Sequence, residues 1–344
     1  MAKVITIVGG GLAGLSMGAA LARKGLKVRL FEAGRYPRHR VCGEFICGVS
    51  AGTLEGLGVG GCMRGAERLE GMVWYAGGRK LLQMRLPCVA AGLSRWMLDA
   101  RLCGFARDAG CEVREGVRVE GAELERGREG VVVCSGRLRG RGGLTGLKAH
   151  FEGVSLEADL EMHVGRGGYV GLSRVEGGRV NVCGIFRRPW AVVGGRRALE
   201  RSLALGGMGE VSERLAGGRE VEGSRCAVAG VRCGWVLGEG DGVMRVGDAL
   251  AMIPPFTGNG MSMAFEGAEC AVGPLVAYAE GGMGWGEATR LVLRAQRQRF
   301  GLRMGLSGVL HPFLLDGYLG RMVGFWAVVA RLTAKWLFER LRCC

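Results

Sequence analysis

Lysine, histidine and proline are scarce in this chain of 344 residues, and no long apolar run interrupts it. Its four histidines and thirteen cysteines include no C-x-x-C pair with nearby paired histidines, so zinc is not expected. His150, His163 and His311 have no spacing that makes a ligand set, and no metal is expected at all. No stretch of eighteen uncharged apolar residues occurs; Met304 to Leu315 and Met322 to Ala330 come nearest and are too short for a bilayer. An integral membrane protein is excluded on that ground. No signal-like segment precedes the first apolar strand, so a reducing, cytoplasmic compartment and free thiols are expected. Cys343 and Cys344 follow no lipidation signature. There is no internal repeat, no low-complexity linker and no serine in a nucleophile-elbow pattern.

Arginine and glycine are abundant instead. Among 47 Lys+Arg, only Lys3, Lys24, Lys27, Lys80, Lys148 and Lys335 are lysine, and glycine numbers 66. Such a skew reflects GC-rich coding more than a selected arginine surface. A net charge of +15 suits nucleic acid, an acidic membrane surface or an anionic cofactor. The basic residues are spread out, with no basic helix and no interleaved aromatic platform, so nucleic acid is not expected as a partner. With 48% hydrophobic and 23% charged residues, the chain reads as a packed protein of about two domains.

Periodicity places a buried strand at Val4–Val8, a helix over Leu12–Lys24 stopped by Gly25, and a second strand at Lys27–Phe31: a βαβ unit. A further helix is predicted over Trp96–Ala109, with strands at Cys111–Val113 and Val131–Cys134. From Leu147 to Phe186 the pattern is strand-like, with turns at Gly165–Gly168 and Glu176–Gly178. Arg196 to Leu215 reads as one helix, Val243–Val246 as a strand and Gly260–Tyr278 as a helix. The last fifty residues read as helical.

Gly9-Gly10-Gly11-Leu12-Ala13-Gly14 satisfies G-x-G-x-x-G between a strand and a helix. The first glycine allows the tight turn, the second a close approach of a pyrophosphate, and the third close packing of helix on strand. Glu32, at the end of the second strand, is where an acid receives ribose hydroxyls, and it argues against a bound 2′-phosphate. FAD and NAD both fit this first signal. A second signal lies more than two hundred residues later. Gly247-Asp248 follows a strand, and Pro254-Pro255-Phe256-Thr257-Gly258-Asn259-Gly260 opens a helix of small residues. An aspartate there can hold a ribityl hydroxyl, and a glycine-rich helix start can aim amides at an electron-rich ring edge.

The two signals in this order resemble the FAD-dependent oxidoreductases of the p-hydroxybenzoate hydroxylase and geranylgeranyl reductase superfamily, whose late motif Gly247, Asp248, Pro255, Gly258 and Gly260 match. Arg95-Trp96-Met97-Leu98-Asp99 resembles that family's R-x-x-L-D, which implies that Arg95 sits near the FAD phosphates. Val119 falls where the family offers backbone groups to adenine. Tyr36-Pro37-Arg38-His39-Arg40-Val41-Cys42-Gly43-Glu44 resembles the family's P-R-x-K-x-C-G-E. That match implies Arg40 near phosphate or ribityl oxygens, with Cys42 and Glu44 as candidate catalytic residues lining the flavin pocket. Cys134-Ser135-Gly136-Arg137 departs from the family's A-T-G-R-like strand end, which puts any nicotinamide docking there in doubt. The W-x-W-x-I-P of halogenases is missing, Val73-Trp74-Tyr75-Ala76 being the nearest stretch, so halogenation is disfavoured.

The expected architecture is α/β. A Rossmann-like, three-layer FAD domain comes from residues 1–73, 93–142 and 223–290, and an inserted mixed or antiparallel substrate sheet from 74–92 and 143–222. A helical region, 291–344, completes it. The resemblance implies non-covalent FAD, with NADH or NADPH as reductant, and hydroxylation or reduction of a hydrophobic prenyl, polyketide or alkyl-aromatic molecule. Two alternatives stay open: a flavin- or nucleotide-binding sensor without turnover, and a flavin disulfide reductase using Cys42 and Cys47. The latter lacks its second strand–glycine–helix unit. His150 is a candidate for proton transfer from a substrate-domain strand. The apolar faces of the C-terminal helices read first as core packing; Arg303, Arg321, Arg331, Lys335 and Arg340 flank them, which as an alternative suits peripheral contact with a membrane or an apolar tunnel mouth.

Overall fold

The computed structural model describes residues 3–120, 129–136, 142–188, 190–191, 195, 197–236 and 242–316. Of the last fifty residues, expected to be helical, 317–344 lie outside the described residues, Arg321, Arg331, Lys335 and Arg340 among them. So do Arg137, most of the loop after it, Arg196, Cys343 and Cys344.

The chain begins with strand β1 (Ile5–Val8), helix α1 (Leu12–Arg23) and strand β2 (Val28–Glu32). Gly25, with φ +82°, ends the helical turn in the left-handed region that glycine tolerates. Every residue of α1 from Leu12 to Leu21 is buried. A helix apolar all round must be covered all round, and α1 is clasped between the sheet and two later helices. After β3 (Phe45–Ile46) and α2 (Ala51–Leu57) come two long strands, β4 (Glu67–Ala76) and β5 (Arg79–Gly92). Helix α3 (Arg95–Asp108) then returns the chain to the first sheet through β6 (Glu112–Glu115) and β7 (Val131–Val133).

Four strands follow with period-two alternation: β8 (Leu144–Glu152), β9 (Leu160–Gly165), β10 (Gly168–Val175) and β11 (Arg179–Arg187). Where one helix is predicted over Arg196–Leu215, the structure has two, α4 (Ala198–Leu205) and α5 (Gly209–Ala216). The break falls at Gly206-Gly207, where Gly207 takes φ +77°. Apolar periodicity continues across that pair, which hid the interruption. Short strands β12 (Arg219–Glu220), β13 (Cys226–Val231), β14 (Gly234–Trp235), β15 (Met244–Arg245) and β16 (Ala251–Met252) lead to α6 (Gly260–Ala279) and α7 (Trp285–Leu315).

The strands form two main sheets. One is parallel, in the order β15-β7-β1-β2-β6. Chain order reverses between β7 and β1, and that gap is where open α/β sheets receive ligands. The other sheet runs β12-β8-β11-β10-β9-β4-β5-β3, with β13 also on β8; it is antiparallel except for the β4–β9 pair. It takes in Glu67–Ala76 whole and reaches Cys226–Val231, further at both ends than the segments expected for the substrate sheet.

Each sheet has its own core. Ile5, Ile7, Leu30 and Val132 pack with Leu15 and Phe265 around the parallel sheet. Leu147, Ala149, Val170, Leu172 and Val182 pack α4 and α5 against one face of the larger sheet. Arg303 is 2% exposed and pairs with Glu266 at 2.8 Å between α7 and α6, against the surface alternative for this basic residue. Burial of a guanidinium is tolerable only with such a partner.

Gly92 tests the packing of β5 on β10. A Cβ there would come within 1.9 Å of the Arg174 carbonyl oxygen, a backbone atom that cannot swing aside. Gly92→Val is expected to destabilise the fold by about 3 kcal/mol, the upper range of overpacking, measured by denaturant unfolding. An unchanged midpoint would show that the two strands are not held this close.

Candidate functional site

The glycine turn between β1 and α1 is closed to side chains at Gly9, Gly10 and Gly14 and open at Gly11. Gly9 takes φ +114°, and a Cβ there would lie 2.2 Å from the Cys134 carbonyl oxygen of the neighbouring strand end. At Gly14 a Cβ would lie 2.0 Å from the Gly9 carbonyl oxygen, so α1 could not pack so close to the turn. A Cβ at Gly11 would meet only the Arg95 guanidinium, at 4.0 Å. Gly11 is the N-cap of α1, and no side chain caps its first amides. Leu12 and Ala13 occupy the first buried turn. Free amides, a positive helix end and a nearby guanidinium make a site for an anion that approaches the backbone closely.

Charge is concentrated beside this turn. Glu32 accepts from the Gly10 amide at 2.8 Å and the Gly34 amide at 2.7 Å, and also from Arg38 at 2.5 Å and Arg40 at 3.4 Å. Burial alone would raise its pKa; the Gly34 amide and the two arginines bring it below the usual carboxylate range. Asp99, fully buried, receives the fork of Arg95 at 2.6 and 2.9 Å and Arg40 Nε at 2.9 Å. Tyr36 donates its hydroxyl proton to the Gly10 carbonyl at 2.5 Å. Two carboxylates thus face three guanidiniums, an excess of positive charge beside Gly11.

The second glycine segment lies across the cleft. Gly247, at φ +69°, would bring a Cβ within 3.2 Å of Ala13 on α1. Asp248 follows it, half-buried, in a short helical turn. The turn Pro255–Thr257 ends at Gly258, in the left-handed region, and Asn259 is the N-cap of α6 without a side-chain cap. A Cβ at Gly260 would meet only Ile253, at 4.0 Å. The structure therefore brings Gly9–Gly14, Arg40, Arg95, Gly247 and Ala13 together. Val119 is half-buried, two residues beyond Val117, whose amide donates to the Glu32 carbonyl.

Cys42 and Glu44 sit on the loop between these charges and the larger sheet. Glu44 is fully buried and takes φ +53°, the left-handed region, at a cost of about 1–2 kcal/mol for a residue with a Cβ. Its carboxylate accepts from the Arg95 amide at 2.8 Å and Lys148 Nζ at 2.7 Å, and lies 2.5 Å from His150 Nε2. Burial would raise its pKa, but the His150 hydrogen bond and the Lys148 charge hold it below the carboxylate range. Burial pushes the Cys42 thiol up despite Arg95, so it stays protonated at neutral pH. Cys42 and Cys47 are separate free thiols, and Cys47 Sγ neighbours Cys88 Sγ at 3.6 Å.

His39 stacks on Trp96 with ring centroids 4.7 Å apart, and its Nδ1 lies 3.3 Å from Lys148 Nζ. Ligand atoms of His39, Glu44 and His150 fall within 4.8 Å of one another, a grouping that sequence spacing did not suggest. The Lys148 ammonium lies among them and supplies the positive charge a metal would. Lys148, Asp99, Tyr36 and Arg38 were the functional neighbours missed. Asp99 closes the Arg95 motif, and Lys148 shares a strand face with His150 by period-two alternation.

The comparisons with known proteins agree with this geometry. Residues 7–45 match the family model of the NAD(P)-binding Rossmann-like domain. No curated protein matches the chain by sequence. Among solved structures, PqsL of P. aeruginosa, a probable FAD-dependent monooxygenase, was solved with 2-aminobenzoylacetate. It superposes with TM-score 0.71 at 16% identity, over 94% of this chain and 98% of its own. The myxobacterial halogenase CndH, FAD-dependent, gives 0.66 at 19% identity, over 87% and 80%. A geranylgeranyl bacteriochlorophyll reductase-like protein of Thermoplasma acidophilum gives 0.67 at 19% identity, over 94% and 91%.

Burial, followed by the charge of Lys148, holds the His39 pKa down to about 4, and burial with Arg187 does the same for His311. Unfolded histidine takes up its proton near pH 6.5, roughly, while the folded side chains stay neutral. Stability is therefore lost as pH falls from about 6.5 towards 4. His39→Gln should reduce the drop in melting temperature between pH 7 and pH 5; an equal drop in variant and wild type would place His39 in water. By its layers, sheet order and glycine turns, the chain has the fold of the FAD-dependent monooxygenases, halogenases and geranylgeranyl reductase-like proteins.

Proposed function

We propose that the chain is an FAD-dependent oxidoreductase that draws on NADH or NADPH and hydroxylates or reduces a hydrophobic small molecule. The observation that carries this reading is the pair of uncapped helix starts, α1 and α6. Each opens at a glycine with free space on its Cβ side. The residues fit the cofactor. Gly9, Gly11, Leu12, Ala13 and Gly14 would cradle the pyrophosphate, with Arg40 and Arg95 balancing its charge. Glu32 would take the ribose hydroxyls once Arg38 or Arg40 leaves one of its oxygens. The backbone near Val119 would meet adenine. Gly247 and Asp248 would hold the ribityl chain, and Pro255, Gly258, Asn259 and Gly260 would present amides to the ring. When bound, FAD supplies the two-electron chemistry.

The chain's own side chains bind, orient and exclude water. Cys42, a neutral thiol, packs the loop, and Glu44, with its oxygens engaged, fixes the loop's conformation; neither is placed as a free acid, base or nucleophile. On the other face of the larger sheet Met162, Val164, Tyr169 and Ile185 form a buried apolar cluster with Phe256 and Leu314, and an apolar substrate would enter beside it. The ligand of PqsL, an aromatic acid derivative, and the prenyl chemistry in the name of the reductase-like neighbour bracket the class. Peripheral membrane contact belongs to the same reading. Leu302, Val309 and Phe313 stand exposed on one face of α7, after exposed Arg290, Arg294 and Arg297.

Purified protein is expected to carry FAD, to lose its visible flavin absorbance on adding NADH or NADPH, and to recover it in air. Protein that binds FAD tightly but never bleaches would favour a sensor. Oxygen consumed in step with product would mark hydroxylation, and turnover without oxygen would mark reduction. Retention on anionic vesicles, absent from neutral ones, checks the α7 surface.

The cradle itself can be tested by substitution. Gly11→Val fills the open position of the first glycine turn with a branched side chain and should abolish FAD retention in a folded protein. Asp248→Ala should weaken FAD by about tenfold or more, as expected for losing a hydrogen bond to a charged group. Unchanged FAD content in both variants would refute the cradle.

A further inference from the structure

A row of buried polar side chains crosses three adjacent strands of the larger sheet. Ser173 on β10 stands opposite Asn181 on β11, and Asn181 stands opposite His150 on β8. Lys148 lies two residues from His150, on the same face. All four are essentially unexposed. Polar groups are buried at a cost unless they are hydrogen-bonded, so a row of them inside a sheet needs a common partner.

That partner is one loop. Ser173 Oγ donates to the Gly43 carbonyl at 3.0 Å, and Asn181 Nδ2 donates to the Gly43 and Cys42 carbonyls at 2.8 and 3.1 Å. Lys148 and His150 take the Glu44 carboxylate. Asn181 Oδ1 has no partner among the described residues, which leaves its amide donors as its contribution. The loop's other side is open: Gly43 is exposed, and a Cβ built there would meet nothing within 4 Å. Glu44 then reaches the Arg95 amide, and Arg95 is the guanidinium that faces Gly11.

We propose that Asn181, Lys148 and His150 are positioning residues that hold the Cys42–Glu44 loop, and through Glu44 the first amide of α3, in the conformation the cofactor site requires. The cofactor part of this rests on the flavin reading above. The larger sheet thereby sets the shape of the cofactor cradle, not only the substrate side.

The test uses the full chain with Asn181→Leu, close in shape but without donors, and with Lys148→Met. Ser173→Ala, which removes a single donor, serves if those fail to fold. Glu161→Gln, on the opposite face of the same sheet, is the control for lost buried polarity. Amide exchange at Arg95 and residues 42–45 is followed without added cofactor, alongside FAD titration and the flavin midpoint potential. Exchange at Arg95 should quicken about tenfold or more and FAD should bind at least several-fold more weakly, with a shifted potential. Glu161→Gln should lower the melting temperature and move none of these. Loop and Arg95 exchange at the wild-type rate in the variants would overturn the proposal. A wild-type chain that takes up no FAD would defeat the flavin reading, while the exchange measurement would still decide the positioning role.

Discussion

A carboxylate with no exposure to water stays charged only if donors converge on it, and Glu44 is where the two sheets meet that demand together. One donor is the backbone amide that starts α3, and two come from β8 of the larger sheet. Removal of any of the three would leave a buried charge under-solvated, at a cost of about 1–3 kcal/mol or more. The left-handed backbone at Glu44 is affordable only within this arrangement. The ion pair therefore fixes the relation between the parallel sheet's cleft and the inner face of the larger one.

The second constraint is electrostatic. Glu32 and Asp99 are both buried, and each is matched by arginines that remain partly solvated: Arg38 and Arg40 on Glu32, Arg40 and Arg95 on Asp99. Arg40 bridges the two acids, so the three guanidiniums share one charge network. A dianionic pyrophosphate at Gly11 would add charge where the balance is already positive. Ribose hydroxyls at Glu32, by contrast, must displace a guanidinium that is bound at 2.5 or 3.4 Å. In the flavin reading, a dinucleotide whose phosphates drew these arginines towards Gly11 would at the same time free Glu32 for the ribose.

Elements whose signal is local were legible in the sequence. The βαβ unit needed only a β-branched run, a small-residue helix and Gly25. The strand-like stretch Leu147–Phe186 and its turns at Gly165–Gly168 and Glu176–Gly178 needed only alternation and glycine, whereas the break between β8 and β9 over 153–159 went unread. What was hidden depends on chain segments that meet across the fold. Lys148 reads as one of few lysines and not as the partner of Glu44, because their strands and loops approach only in the tertiary structure. Arg303 looks like a surface arginine on a helix until Glu266 on α6 buries it. The single helix over Arg196–Leu215 failed for a local reason, since its apolar period is continuous and only Gly206-Gly207 contradicts it. In the cofactor site, the glycines were visible as a pattern. The second of them, Gly11, was already readable as the point of close approach; the structure adds the Cys134 carbonyl that closes Gly9 and the Arg95 guanidinium that stands over Gly11.

The larger sheet divides its polarity by face, and that division bears on where the chemistry must come from. On the α4–α5 side the buried charge is Glu161, and it is consumed by Arg214 at 2.6 Å and His163 at 2.9 Å. On the other side Glu44, Lys148 and His150 are consumed by one another. Among the described residues, the histidines, buried carboxylates and thiols near the cleft are therefore paired, or are kept neutral by burial, as Cys183 is with its pKa pushed well above the ordinary thiol value. General acid–base catalysis needs a group free to exchange a proton near neutral pH, and this interior offers tightly held ones instead. A protein arranged this way contributes shape, field and exclusion of water. At the starts of α1 and α6, Gly11 and Gly260 are where the backbone leaves room for a bound group.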